Sequence, residues 1–168
     1  VGFCLAMQLS LVHAIFKKMH SSTCTAIEPL SEFVTTSAGI QMPRMIYGTA
    51  WKKERTEELV LRAVASGFRG IDTACQPKHY HEPGTGAALA SLWASGMARE
   101  KLFIQTKVNP EYAAEISPDV SVAEQVEQSI AVSLSNLGIT YIDSLVMHTP
   151  YETHDHTMEA WRAMEIAA

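Results

Sequence analysis

From position 33 onward, apolar residues fall into short runs separated by longer stretches in which they recur every three or four places. Two short extended segments within 33–45 (FVTTSAGIQMPRM) flank Ser37-Ala38-Gly39, the composition of a hairpin turn. The run 45–50 (MIYGTA) is a candidate strand. Thr56 then stands where a helix N-cap belongs, with Glu57 and Glu58 in the first turn, Leu59, Val60, Ala63 and Val64 on one face, and Gly67 past the end. A second strand is expected over 68–74. A second helix follows over 84–96, with Leu89, Leu92 and Trp93 inward and Gly96 as its stop. Residues 101–108 (KLFIQTKV) form the third strand. A longer loop leads to Ser121-x-x-Glu124, a capping box that opens a helix carrying Val122, Val126, Ile130, Leu134 and Leu137 before Gly138. A fourth strand over 141–148 and a fourth helix from 156 complete the pattern.

Strands separated by helical stripes predict βαβ units on a parallel sheet, covered on the outside by the helices. Composition agrees: 168 residues at 47% hydrophobic and 18% charged suffice for one domain with a core. The net charge of -5 is scattered, with no basic stripe to track a phosphate backbone, so nucleic acid is not expected as a partner. Cys4, Cys24 and Cys75 are odd in number and widely spaced. They fit neither a disulfide framework nor a zinc ribbon, and a cytoplasmic setting is expected. The opening eighteen residues place their positive charges after the apolar stretch and interrupt it with Gln8, Ser10 and His13. That suits neither a signal peptide nor a membrane span. Residues 1–32 are expected to be a disordered or non-native extension, with the true start at Met7, Met19 or upstream.

Chemistry concentrates where the strands end. Gly48-Thr49 closes the first, Asp72 the second, Lys107 the third and His148 the fourth. Titratable groups at three successive strand ends are not what core packing requires. Buried charge costs several kcal/mol unless paired, so these groups are expected to face one another across a shared rim.

Gly48-Thr49 after a hairpin, GFRGIDTA with downstream Tyr80 and Glu82, FIQTK, YIDSLVMHTP and TMEAWRAME resemble the aldo-keto reductases, in order and at similar spacing, over residues 36 to 166. The resemblance implies a (β/α)8 TIM barrel, of which the chain supplies an N-terminal hairpin and about four βα units over 33–168: an incomplete, truncated barrel. It also implies NADPH and a catalytic tetrad of Asp72, Tyr80, Lys107 and His148. Carbonyl reduction needs a proton for the oxygen that becomes an alkoxide. In this assignment Tyr80 donates it, the Lys107 ammonium favours loss of that proton, Asp72 holds the lysine, and His148 orients a small-molecule carbonyl, aldehyde or ketone. Gly48, Thr49 and Asp72 are assigned to the cofactor, Trp51 and His148 to the substrate, and no residue to a metal.

The usual family text runs Asp-Ser/Thr-Ala-x-x-Tyr, whereas Cys75 to His79 here lengthen the approach to Tyr80. A loop that failed to return would leave His79 or His81 nearer the substrate. Two other readings stay open. One is a non-catalytic cofactor-binding or regulatory subunit. The other is a metal-dependent barrel hydrolase using His148, His79-x-His81 and His154-x-His156. A half barrel is further expected to bind NADPH weakly or not at all without the C-terminal half, to self-associate through exposed strand edges and to be inactive alone.

Overall fold

Four parallel strands, each followed by a helix that covers one face, form the body of residues 32–168, the residues described by this computed structural model. The earlier segment, with Cys4, Cys24 and nearly all of the expected extension over 1–32, lies outside the described residues. The elements run β1 (Phe33–Thr35), β2 (Gln41–Pro43), β3 (Ile46–Gly48), α1 (Thr56–Ala65), β4 (Gly70–Asp72), α2 (Glu82–Ala94), β5 (Phe103–Val108), α3 (Pro110–Ile116), α4 (Val122–Leu137), β6 (Ser144–Met147) and α5 (His154–Ala167). Strands β1 and β2 form the predicted antiparallel hairpin, with Gly39 at φ 81 in its turn, where a side chain would be strained. Strands β3 to β6 pair in sequence order, all parallel, so their C-terminal ends share one edge.

Alternation along the strands sorts side chains onto two faces. Ile71 of β4 and Ile104 of β5 are fully buried toward the helices, where Val60, Val64, Leu89, Leu102 and Leu137 join them in one apolar cluster. A second cluster gathers Val108, Ala113, Val126, Ala160, Ala163 and Met164 beneath α3, α4 and α5. Helix α4 belongs to both. Full burial of one such aliphatic side chain contributes about 1.5–3 kcal/mol, so these clusters, more than helix propensity, hold the layers together.

Local differences from the sequence pattern have physical causes. Thr56 is the first helical residue of α1, not its cap: residues Lys53–Arg55 form a 3-10 turn, and the buried Thr56 hydroxyl donates to the Lys53 carbonyl at 2.7 Å. The loop after β5 holds a short helix, α3, because Asn109 caps it by accepting from the Tyr112 amide at 3.0 Å and Pro110 sits where no N–H is needed. The capping box forms as expected, with both Ser121 and Glu124 bonded across it, and Gly138 closes α4 at φ 64. Gly86 permits α2 to approach α4: a Cβ there would lie 2.1 Å from the Asn136 carbonyl oxygen.

Candidate active site

The C-terminal edge of the sheet receives its polar groups from β4, β5 and β6, and from the loop between β4 and α2. Asp72 and Lys107 end their strands on the inner face, away from the helices, with side chains 20% and 13% exposed. An ammonium has three protons to place. The Lys107 Nζ donates to Asp72 Oδ2 at 2.7 Å, to the Thr73 carbonyl at 2.8 Å, and reaches the Tyr80 hydroxyl at 3.5 Å, the outer edge of a hydrogen bond. It also lies 4.8 Å from the Tyr80 ring centroid. Tyr80 comes back over the rim because the extra residues coil into a turn: the amides of His79 and Tyr80 both donate to the Gln76 carbonyl, at 3.2 and 3.0 Å.

His148 closes the group. Its backbone N–H donates to the Val108 carbonyl at 2.9 Å, and its ring meets Tyr80 edge-on at 5.7 Å and 76°. Burial holds its imidazole below the usual histidine value, and the Lys107 charge pushes the same way, with Asp72 opposing. The ring is therefore neutral near pH 7, and its Nδ1 is buried without a partner. Asp72, Tyr80, Lys107 and His148 thus converge at one mouth. Thr49 is fully buried, its amide and hydroxyl both donating to the Asp72 carbonyl at 3.0 and 2.9 Å, so it fastens the end of β3 to β4. Gly48 is exposed beside it, and a Cβ there would meet nothing within 4 Å.

Trp51 stands 64% exposed at the mouth with φ 62. Its indole lies 4.0 Å from the His79 ring, and its amide donates to the His79 carbonyl at 2.7 Å. An open cleft of about 690 Å³ runs from His79 and His148 past Asn109 to Tyr151 and His156. His81, His154 and His156 are exposed. Among the described residues, no set of three or more His, Cys, Asp or Glu side chains could hold a metal ion, and no helix is long and apolar enough to cross a membrane.

Two arrangements escaped the sequence reading, the partners of Asp72 and the surroundings of Glu82. Gln105 donates to Asp72 Oδ1 at 2.7 Å and accepts from the Ser144 hydroxyl at 2.9 Å. Both lie an even number of places before a site residue, Gln105 two before Lys107 and Ser144 four before His148, so strand alternation placed them on the same face. Behind the site, Glu82 is 3% exposed and accepts from Thr106, Ser133 and Asn136. Burial pushes its carboxyl up. Cys75 is buried and free, and burial pushes its thiol up as well.

Parallel strands with helices on one face and polar groups gathered at their C-terminal ends are the arrangement of part of a barrel-type α/β fold. Residues 42–168 match the sequence profile of the Aldo/keto reductase family, and the chain belongs to that family. It is 33% identical over 129 residues to methylglyoxal reductase DkgA of Escherichia coli K12, covering 75% of this chain and 41% of that protein. It is 28% identical over 137 residues to morphine 6-dehydrogenase of Pseudomonas putida, covering 80% of this chain and 42% of that protein. Among solved structures, the Bombyx mori aldo-keto reductase in complex with NADP superposes with a TM-score of 0.67 at 27% identity, over 80% of this chain and 46% of that one. The aldo/keto reductase of Brucella melitensis superposes at 0.65 with 31% identity, over 80% and 48%. The chain therefore spans under half the length of these relatives, and its fold is the corresponding part of their barrel.

Proposed function

We propose that the mouth carries out NADPH-dependent reduction of a small carbonyl, aldehyde or ketone, with Tyr80 as the proton donor. The observation that carries this reading is the Lys107 ammonium, shared between Asp72 at 2.7 Å and the Tyr80 hydroxyl at 3.5 Å. When bound, the reduced nicotinamide supplies a hydride to the carbonyl carbon. The open inner face at Gly48 suits the approach of a flat ring, and the His148 ring beside Tyr80 offers an imidazole to the carbonyl. Gly48, Thr49 and Asp72 form the cofactor side in this reading, Thr49 by holding the backbone there. Trp51 and His148 face the substrate. The neutral His148 ring donates to the carbonyl oxygen, fixing its direction, while Tyr80 releases its proton to that oxygen. Lys107 stabilises the phenolate left behind, and Asp72 keeps the ammonium in place.

NADPH binding by these 168 residues is expected to be weak, since under half of the relatives' length is present to grip it. A nicotinamide fluorescence titration measures it. The chemical assignment is tested by following loss of NADPH absorbance with methylglyoxal, the substrate named for one relative. Tyr80→Phe is expected to lower the rate by about 10² to 10⁴. The 168 residues alone are expected to turn over slowly, so the comparison is made at a protein concentration where wild-type turnover is measurable, and a Tyr80→Phe variant that matches that turnover overturns the reading.

A further inference from the structure

We infer that Gln105 is a positioning residue for the Asp72–Lys107 pair, held in its own orientation by Ser144. Asp72, Gln105 and Ser144 are register partners on β4, β5 and β6, so their inward side chains form one row across three strands. The row is hydrogen-bonded throughout: Ser144 Oγ donates to Gln105 Oε1 at 2.9 Å, and Gln105 Nε2 donates to Asp72 Oδ1 at 2.7 Å. At the end of the row, Asp72 Oδ2 accepts from Lys107 at 2.7 Å.

The chemistry gives this row a direction. An ionised carboxylate only accepts, so the glutamine must turn its NH2 toward Asp72; the flipped amide would set oxygen against oxygen. That choice leaves Oε1 facing Ser144, whose hydroxyl can meet it only by donating. Each carboxylate oxygen of Asp72 therefore has its own donor, Gln105 on one side and Lys107 on the other. A carboxylate held at both oxygens cannot swing about its last bond. The Lys107 ammonium, tied to one of those oxygens and to the Thr73 carbonyl, then has its third proton left to point at Tyr80. Without Gln105, Asp72 Oδ1 is free to rotate into competition for the ammonium, and the direction toward Tyr80 loosens. None of these three side chains is fully buried, so the effect is one of orientation more than of core packing.

The consequence for catalysis rests on the reductase reading, but the positioning itself does not. It is tested on the 168-residue chain by the rate at which the Lys107 ammonium protons exchange with water, read from lysine NMR signals and assigned by their loss in Lys107→Met. Gln105→Leu is expected to speed this exchange about tenfold, equivalent to about 1.4 kcal/mol. Ser144→Ala should move it in the same direction by less, and Ser144→Thr, which keeps the hydroxyl, should restore the wild-type rate at an unchanged urea midpoint. Exchange that stays within about twofold of wild type in both Gln105→Leu and Ser144→Ala overturns the inference. Should Gln105→Leu fail to fold, the Ser144 pair decides alone. Wild-type turnover in Tyr80→Phe, together with accelerated exchange in these variants, would remove the reductase reading and leave the positioning intact.

Discussion

Glu82 offers a test in which the sign of a pH effect is fixed by burial. Its carboxyl is 3% exposed behind the site, among Thr106 and Ser133, each 1% exposed, and Asn136. Burial is the largest influence on it and pushes it above the ordinary value of 4.5, against the hydrogen bonds that pull it down. A carboxyl raised in the fold binds its proton more tightly there than in the unfolded chain. Its folding penalty is thus absent below the unfolded value and grows as pH rises through the window above it. Glu82→Gln keeps an acceptor oxygen and removes the titration. The stability of wild type minus that of Glu82→Gln should therefore fall as pH rises from about 4.5. Its slope can reach about 1.4 kcal/mol per pH unit, levelling off above the raised value. The difference cancels the exposed carboxylates Glu58 and Glu124, which are lowered by their hydrogen bonds and work in the opposite sense. Urea unfolding followed by circular dichroism between about pH 4 and 8 measures it. A difference that is flat or rises over that range refutes the argument. Glu82→Leu adds a control below about pH 4.5, where the raised carboxyl is mostly protonated. The Thr106 and Ser133 hydroxyls, 3.4 Å apart, then lose their shared acceptor, and a loss of about 1–3 kcal/mol is expected from the donor left unmet.

Gly86→Ala drives a methyl to within 2.1 Å of the Asn136 carbonyl, so α2 and α4 must part. A loss of about 1–3 kcal/mol in urea unfolding is expected, and unchanged or higher stability would show that the helices are not held that close. His148 should titrate in NMR below the ordinary imidazole value, because burial and then the Lys107 charge favour its neutral form, and Lys107→Met should raise it. Its contribution to stability is accordingly present above about pH 6.5 and lost as pH falls through the depressed value. A midpoint at or above the ordinary one refutes the assigned causes.

Much of this architecture was legible in the residues because it rests on short-range rules. Short apolar runs placed the strands and period-3.6 spacing the helices, and Ser121 with Glu124 marked the start of α4. Asp72, Lys107 and His148 stood out because charge at a strand end is costly unless shared. Helix α3 was missed although Asn109 and Pro110 are both start signals, since a helix of seven residues carries too little apolar repeat to stand out. Thr56 looked like a cap because its hydroxyl serves a helix start, but it does so by donating back to Lys53 from inside the first turn. The Asp72–Gln105–Ser144 row needed inter-strand register, which no single strand encodes. The return of Tyr80 needed a turn closed by a backbone carbonyl, that of Gln76, which composition does not reveal.

The contact between Trp51 and His79 joins two loops that are separate in sequence into one piece of wall. The left-handed backbone at Trp51, its amide bonded to the His79 carbonyl and the two rings in contact all fix one loop by the other. Anyone recutting this mouth cannot graft the segment before Tyr80 alone. A replacement must also present a carbonyl and a flat side chain to the indole, or the two loops must be exchanged as a unit.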